Sequence, residues 1–191
     1  MLWNPRAGFA LARELRSREG APLGDVFSFV SGLYFRGKAT YSQAFGALPG
    51  ELRGGLVISP SEGLRFLHER VTLERLTEWA KVPIDARNPA FTEPLVGHCH
   101  ELLRVMGESA RYVLLGSVAT NKYVEPLTQV FHTRLLFPSE FVGRGDMSRG
   151  ALLLGAARSG RELEYTPVIG TPRHGPRARG VSARSRRNSP P

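Results

Sequence analysis

The chain has 191 residues, of which 41% are apolar, and this is enough for one domain with a buried core. No run of about 18 apolar residues occurs, which argues against a transmembrane helix, and residues 1–20 lack the apolar segment of a signal peptide. The single cysteine, Cys99, excludes an internal disulfide, so we expect a cytoplasmic protein with no membrane partner.

The net charge of +9 is unevenly distributed along the chain. Residues 171–191 contain six arginines, four prolines, several serines and no acidic residue, so residues 1–170 carry a net charge of only +3. A segment with so few apolar residues cannot bury enough surface to offset the entropy cost of ordering. We therefore expect one α/β domain over residues 1–170 and a disordered, Arg/Pro/Ser-rich basic tail over residues 171–191.

The first sixty residues predict two helices and two strands. The Asn-Pro pair at residue 4 is typical of a helix start, and residues 26–30, rich in valine and phenylalanine, predict a strand. A short helix is expected over residues 39–45. The apolar run at residues 56–58 predicts a second, buried strand, which ends in the polar loop 59–64.

After residue 70 the pattern alternates between helices and strands. Thr72 and Thr92 are typical helix N-caps. Helices are predicted over residues 73–81, 93–106 and 146–158 and from residue 121, and strands over residues 112–115, 134–137 and 162–169. Between residues 111 and 150, two apolar runs each end in a polar loop that opens a helical pattern. This indicates two strand–loop–helix units in series.

The alternation predicts an α/β fold, a three-layer sandwich with a mostly parallel, Rossmann-like sheet of about five strands and helices on both faces. In such a sheet, ligands bind outside the carboxyl ends of the strands, where the loops that follow the strands meet. Four loops are expected at that edge, over residues 31–38, 59–64, 116–122 and 138–149.

These four loops are rich in glycines, hydroxyl side chains and cations, a composition that suits a phosphorylated or otherwise anionic ligand. Glycines let backbone N–H groups approach a ligand, helix N-termini attract anions, and arginine binds phosphate with two hydrogen bonds. The expected ligand-binding residues are Ser31, Gly32, Arg36, Lys38, Ser59, Ser61, Gly116, Ser117, Thr120, Lys122, Tyr123, Gly143, Arg144, Gly145, Ser148 and Arg149. The expected acid–base residues are Glu62, Glu140 and Asp146.

Each of these features also has a purely structural interpretation. The loop from Gly116 to Lys122 resembles a phosphate loop but lacks the second glycine and the final hydroxyl residue of a Walker A sequence, so a plain turn is an equal alternative. Asp146 occupies the place of a helix N-cap, and Glu62 the place of a solvated loop residue. The ring of Tyr34 suits either stacking on a base or packing in the core.

No metal site is expected, and no cofactor is identified. His98 and His100 would point about 200° apart on one helix, so they cannot both face one ion. Cys99 lies on the apolar stripe of the same helix, which disfavours a nucleophilic role.

Two segments resemble a pattern that recurs in a family of uncharacterised bacterial proteins. They read LLGSVATNKYVEPL at residues 114–127 and FPSEFVGRGDMSRGALLL at residues 137–154. With VSGLYFRGK and LEYTPV, the resemblance covers about residues 24–170, and it implies no named activity. The turn over residues 59–64 is also similar to one in small α/β domains of the uracil-DNA-glycosylase-like or base-modification type. That likeness assigns no catalytic residue.

The sequence thus supports two main hypotheses and leaves open whether the protein is an enzyme. The first is binding of a nucleotide-like or other phosphorylated ligand at the strand edge, with hydrolysis or transfer at a phosphate or N-glycosidic bond as the reaction. The alternative is a nucleic-acid-associated, non-enzymatic protein that uses residues 171–191 to attract phosphates non-specifically. A third hypothesis is a structural or partner-binding protein in which the polar loops are only turns.

Overall fold

The computed structural model describes residues 2–173, so most of the predicted basic tail lies outside the described residues. The α-helices are α1 (Ala10–Arg16), α2 (Leu23–Phe45), α3 (Leu73–Trp79), α4 (Pro89–Met106), α5 (Asn121–Phe131) and α6 (Asp146–Ser159). The strands are β1 (Ala21–Pro22), β2 (Leu56–Ile58), β3 (Leu64–Phe66), β4 (Arg70–Val71), β5 (Tyr112–Val113), β6 (Leu135–Pro138) and β7 (Tyr165–Pro167). Within this part of the chain, no helix combines the length and apolar character that crossing a bilayer requires.

The predicted Rossmann-like sheet of about five parallel strands is wrong. Over residues 2–173 the strands form three small sheets, with β1–β4 and β2–β3 as antiparallel pairs and β5–β6–β7 as a three-stranded sheet. In the last of these, β5 and β6 run parallel and β7 is antiparallel to β6. The described residues therefore form a mixed α/β arrangement of six α-helices and small sheets, without the three-layer sandwich.

The first reason for this error is helix α2, which contains the predicted strand at residues 26–30. Val26 is buried, whereas Phe29 and Val30 are 45% and 52% exposed, as expected for an amphipathic helix rather than a buried strand. The backbone breaks at Gly32, whose φ of 61° is accessible to glycine, and then continues to Phe45. The predicted helix over residues 39–45 is the end of this longer helix.

The second reason is the chain reversal after β2. The strand at residues 56–58 is confirmed, but the loop 59–63 turns the chain directly into β3 instead of leading to a crossover helix. A connection this short can join only antiparallel strands. As a result, β2 does not join the parallel pair.

The two strand–loop–helix units predicted between residues 111 and 150 are confirmed. Strand β5 leads into α5 at Asn121, and β6 leads into α6 at Asp146. Among the other elements, the Thr72 cap of α3 is confirmed, since its side chain accepts a hydrogen bond from the Arg75 N–H. Helix α1 begins at Ala10 rather than near residue 4, and α4 is capped by Asn88 rather than by Thr92.

Within residues 2–173, the buried apolar residues form two clusters that share helix α2. The first half of α2 packs with α1, α3 and strands β1 and β4, while its second half packs with α4, α5, α6 and the three-stranded sheet. The side chains of Leu23 and Val26 belong to the first cluster, and those of Tyr34 and Tyr41 to the second. The break at Gly32 lies between these two halves.

Candidate anion-binding site

The candidate site lies at the edge where the parallel strands β5 and β6 end. Residues 114–120 lead from β5 into α5, and residues 139–145 lead from β6 into α6. Because parallel strands finish on the same side of a sheet, both helices begin at this edge. The side chain of Thr120, the N-cap residue of α5, does not form a capping hydrogen bond. The N-cap residue of α6 is Gly145, which has no side chain to form one. The positive ends of two helix dipoles thus point toward one edge, an arrangement that favours an anion.

A close helix crossing brings α2 to the same edge. A Cβ on Gly37 of α2 would lie 2.8 Å from the carbonyl oxygen of Gly150 in α6. One turn earlier in α2, the Tyr34 hydroxyl donates a hydrogen bond of 2.9 Å to the Leu115 carbonyl oxygen, in the loop after β5. The two glycines therefore allow residues 34–38 to approach this loop closely.

Lys38 is a half-buried cation at this edge. Its Nζ lies 4.1 Å from the centre of the Tyr34 ring. Among residues 2–173, no acceptor forms a hydrogen bond with the ammonium group, and no carboxylate lies within 4.0 Å of it. Burial lowers the pKa of Lys38; Asp146 opposes this change, and Arg149 adds to it. The ammonium therefore combines a desolvation cost with incomplete charge compensation.

Arg149 supplies a second cation, and it is buried with a relative exposure of 8%. Its Nε and Nη2 donate to the Phe141 carbonyl oxygen at 3.2 and 3.0 Å, which fixes the guanidinium beneath the loop after β6. Its Nη1 lies 3.9 Å from Oδ1 of Asp146, a carboxylate that is 73% exposed. One exposed carboxylate thus faces two cations that have lost part of their hydration.

Further cations lie in or beside the two loops. The Lys122 Nζ is 5.0 Å from the centre of the Tyr123 ring, and Arg144 donates to the Ser148 hydroxyl at 3.1 Å. Arg173 reaches the loop after β5 from the other end of the chain, with its Nη1 3.4 Å from the Val118 carbonyl oxygen. Arg173 belongs to the segment predicted as a basic tail, and no local sequence pattern indicates this contact.

The structure thus places most of the predicted residues at one edge of the parallel pair. In the two loops and the first turns of α5 and α6 lie Gly116, Ser117, Thr120, Lys122, Tyr123, Glu140, Gly143, Arg144, Gly145, Asp146, Ser148 and Arg149. Lys38 joins them from α2. The sequence predicted Lys38 in a loop that follows a strand. In the structure Lys38 lies in α2, and the crossing of α2 with α6 brings it to this edge.

The residues predicted between β2 and β3 form a separate group. The Ser59 hydroxyl is buried, donates to the Gly63 carbonyl oxygen at 3.0 Å and accepts from the Glu62 N–H at 2.9 Å. Ser61 lies in the same turn. The loop also contacts α4, because the Leu64 N–H donates to Nδ1 of His98 at 3.0 Å. These hydrogen bonds hold the hairpin turn, and among residues 2–173 none of them joins the turn to the loops after β5 and β6.

Glu62 is held by three side chains of its own neighbourhood. Arg75 binds both carboxylate oxygens, and the Trp79 Nε1 donates to Oε1 at 2.8 Å. Arg65 lies 3.9 Å from Oε2. The hydrogen bonds from Arg75 hold the pKa of Glu62 below its usual range, despite partial burial. This favours the charged carboxylate, and its lone pairs are engaged by Arg75 and Trp79.

Ser31, Gly32 and Arg36 are the predicted residues that lie elsewhere on α2. Ser31 and Gly32 form the break in the helix, and the Ser31 side chain is exposed. Arg36 precedes Lys38 by two positions, which places it on the opposite side of the helix. There it lines a separate cleft between α2, α6 and the β3–β4 turn.

The residues considered for metal or thiol chemistry have structural contacts. His98 accepts the hydrogen bond from Leu64, and burial raises the pKa of the Cys99 thiol to about 12. No group of three or more histidine, cysteine, aspartate or glutamate side chains in residues 2–173 has metal-binding geometry. Neither family models, nor curated proteins, nor solved structures give a significant match to this chain.

Proposed function

We propose that the edge formed by β5, β6 and α2 binds the anionic group of a phosphorylated, nucleotide-like small molecule. The observation that carries the proposal is Lys38, a half-buried ammonium with no hydrogen-bond acceptor among the described residues. An unpaired cation that has lost hydration is costly, and an incoming phosphate would compensate for this cost.

The surroundings of Lys38 support an anion rather than a neutral ligand. The Phe141 carbonyl oxygen fixes Arg149 nearby. Because a carbonyl group is neutral, these hydrogen bonds do not cancel the positive charge of the guanidinium. The N-termini of α5 and α6 add partial positive charge from the two loops. The loops contain glycine at positions 116, 143 and 145, and glycine permits the close backbone approach that phosphate-binding loops use.

If the site is catalytic, Asp146 is the carboxylate best placed to act as an acid or base. It faces Arg149 and influences the pKa of Lys38, whereas Glu140 lies in the exposed turn after β6. Such a carboxylate beside two cations suits hydrolysis or transfer at a phosphate or N-glycosidic bond. Glu62 remains a predicted acid–base residue, but its ligation by Arg75 does not support that role.

A binding measurement on a Lys38 variant tests the proposal. We expect inorganic pyrophosphate to bind the full chain in a calorimetric titration, and Lys38→Gln to weaken this binding about tenfold, as loss of one charge-assisted hydrogen bond implies. The control is Lys81→Gln, which removes an exposed lysine that pairs with Glu78 away from the site. Equal affinity in all three proteins, or no binding by any of them, would refute the proposal.

A nucleic-acid-associated function remains the second proposal, and one observation favours it. Arg173, the last described residue, contacts the loop after β5, and the predicted basic tail continues from it in the sequence. A chain truncated after residue 173, which keeps Arg173 at the site, separates the two proposals. Loss of salt-dependent DNA or RNA binding with pyrophosphate binding retained would support a role for the tail, and unchanged nucleic-acid binding would exclude it.

A further inference from the structure

We propose a second ligand site in the cleft on the other side of α2, which would take a phosphorylated molecule with a flat ring, such as a nucleoside monophosphate. The cleft has a volume of about 730 Å³, which is the size of a typical small-molecule site. Its walls come from α2, the end of α6, residues 53–55 and the turn between β3 and β4. The β5–β6 edge lies on the opposite face of α2, so the two proposed sites are independent.

The charge of the cleft indicates an anionic ligand. Arg36, Arg53 and Arg158 line it, and Asp25 is the one carboxylate among its described lining residues. None of the three arginines has a carboxylate within 4.0 Å among residues 2–173, in contrast to Arg65, Arg75 and Arg87. Three guanidinium groups without anionic partners on one concave surface provide the donors that phosphate binds best.

The wall formed by the β3–β4 turn adds aromatic surface. Phe66 and His68 stack with their ring centres 5.3 Å apart and their planes 26° from parallel. Both rings line the cleft, and His68 is exposed. A stacked aromatic pair beside arginines is suited to a nucleobase, because every base presents a flat π-face.

The wall formed by residues 53–55 is held in place by hydrogen bonds. Gly54 is buried and has a φ of 141°, a conformation that residues with side chains rarely adopt, and its N–H donates to the Gly46 carbonyl oxygen at 3.3 Å. Arg53 is oriented by a hydrogen bond of 3.2 Å from its Nη1 to the Ala44 carbonyl oxygen.

The cleft and the β5–β6 edge are separate sites on the same two helices. Arg158 follows Arg149 in α6 by nine positions, which corresponds to about 14 Å along the helix axis. Arg36 and Lys38 lie on opposite sides of α2. Variants in one site therefore leave the residues of the other unchanged.

Titration with adenosine monophosphate, ribose 5-phosphate and inorganic phosphate tests the cleft, with the full chain carrying Lys38→Gln so that binding at the other site is weakened. We expect adenosine monophosphate to bind about tenfold more tightly than ribose 5-phosphate, because base stacking adds to phosphate contacts. In the same background, Arg36→Ala with Arg158→Ala should weaken adenosine monophosphate at least tenfold.

The matched control is Arg161→Ala, which removes an exposed arginine three residues beyond Arg158 that does not line the cleft. It should leave the affinity unchanged. Circular dichroism of each variant separates a binding loss from unfolding, and Arg53→Ala replaces the double variant if the latter is not folded. No binding of adenosine monophosphate, or equal binding by the cleft variants and the control, would overturn the inference. It would leave the proposal for the β5–β6 edge untouched.

Discussion

Glu62 shows how a single carboxylate can stabilise a turn that joins two elements. Arg75 of α3 binds both of its oxygens, and Trp79 of the same helix donates to one of them. These hydrogen bonds connect the β2–β3 turn to α3. The network depends on the charged form of Glu62, which the hydrogen bonds from Arg75 favour by lowering its pKa.

We expect Glu62→Gln to lower the free energy of unfolding by about 1–2 kcal/mol at neutral pH, since it weakens charge-assisted hydrogen bonds to a partly exposed group. Because the folded-state pKa of Glu62 is depressed, its contribution is complete above the unfolded pKa of about 4.3. It is lost as the pH falls through the folded pKa. Urea unfolding at neutral and acidic pH measures both effects.

The control for this prediction is Glu93→Gln, which changes an exposed glutamate in α4. It should alter stability by less than about 0.5 kcal/mol. If Glu62→Gln and Glu93→Gln have the same effect at every pH, the ion-pair network does not contribute to stability as described.

Two tyrosines provide a comparison between a satisfied and an unsatisfied hydroxyl. The Tyr34 hydroxyl donates to the Leu115 carbonyl oxygen, whereas the buried Tyr112 hydroxyl has no hydrogen-bond partner among residues 2–173. We expect Tyr34→Phe to cost about 1 kcal/mol and Tyr112→Phe to be neutral or stabilising. Thermal unfolding of the two variants measures the difference. A larger loss for Tyr112→Phe would show that its hydroxyl is hydrogen-bonded in solution.

The helix crossing between α2 and α6 determines whether Lys38 reaches the candidate site. A Cβ on Gly150 would lie 2.9 Å from both the Leu33 carbonyl oxygen and the Tyr34 Cα, which are backbone atoms that cannot rotate away. Two packed helices can approach this closely only when small residues lie at the contact point. The position of Lys38 is therefore coupled to the glycines of the crossing.

We expect Gly150→Ala to destabilise the protein by about 1–3 kcal/mol through overpacking, despite the better helix propensity of alanine. Pyrophosphate binding should weaken as well, because α2 would be pushed away from the edge. The matched control is Gly155→Ala in the same helix, where a Cβ would have no neighbour within 4 Å. It should stabilise α6 by about 0.5–1 kcal/mol. Denaturant unfolding in which Gly150→Ala is as stable as Gly155→Ala would contradict the close crossing.

The elements that the sequence predicted correctly are those with strong local signals. The β5–α5 and β6–α6 units were predicted because each apolar run, loop and helix start is contiguous in the chain. Helix α2 was missed because Val26, Phe27, Phe29 and Val30 have high strand propensity, which packing overrode. The helical spacing of its buried residues was available as a signal, and Gly32 obscured it.

The sheet topology could not be read from the same local patterns. Whether β2 joins β5 and β6 depends on the direction in which the chain turns at Gly63. Its φ of 64° and the hydrogen bonds of Ser59 produce a hairpin. The turn residues Ser-Pro-Ser-Glu-Gly were compatible with that outcome, but so was a loop leading into a helix.

On the scale of the whole molecule, α2 separates two surfaces that carry different sets of cations. One face of α2 brings Lys38 to Arg149 at the β5–β6 edge, and the other brings Arg36 to Arg158 in the cleft. The sequence predicted that Arg36, Lys38, Lys122, Arg144 and Arg149 meet at a single sheet edge, whereas Arg36 lines the cleft on the other side of α2. The long-range contacts of α2 with α6 are what divide those residues between two sites.

Backbone-amide NMR of the full chain during titration with inorganic pyrophosphate tests the central claim most directly. The account predicts progressive shifts in residues 116–121 and 145–148, which form the loops at the β5–β6 edge and the helix starts beyond them. It also predicts that Lys38→Gln reduces these shifts. Shifts that avoid both segments, or the absence of any shift at saturating pyrophosphate, would contradict the proposal that this edge binds anions.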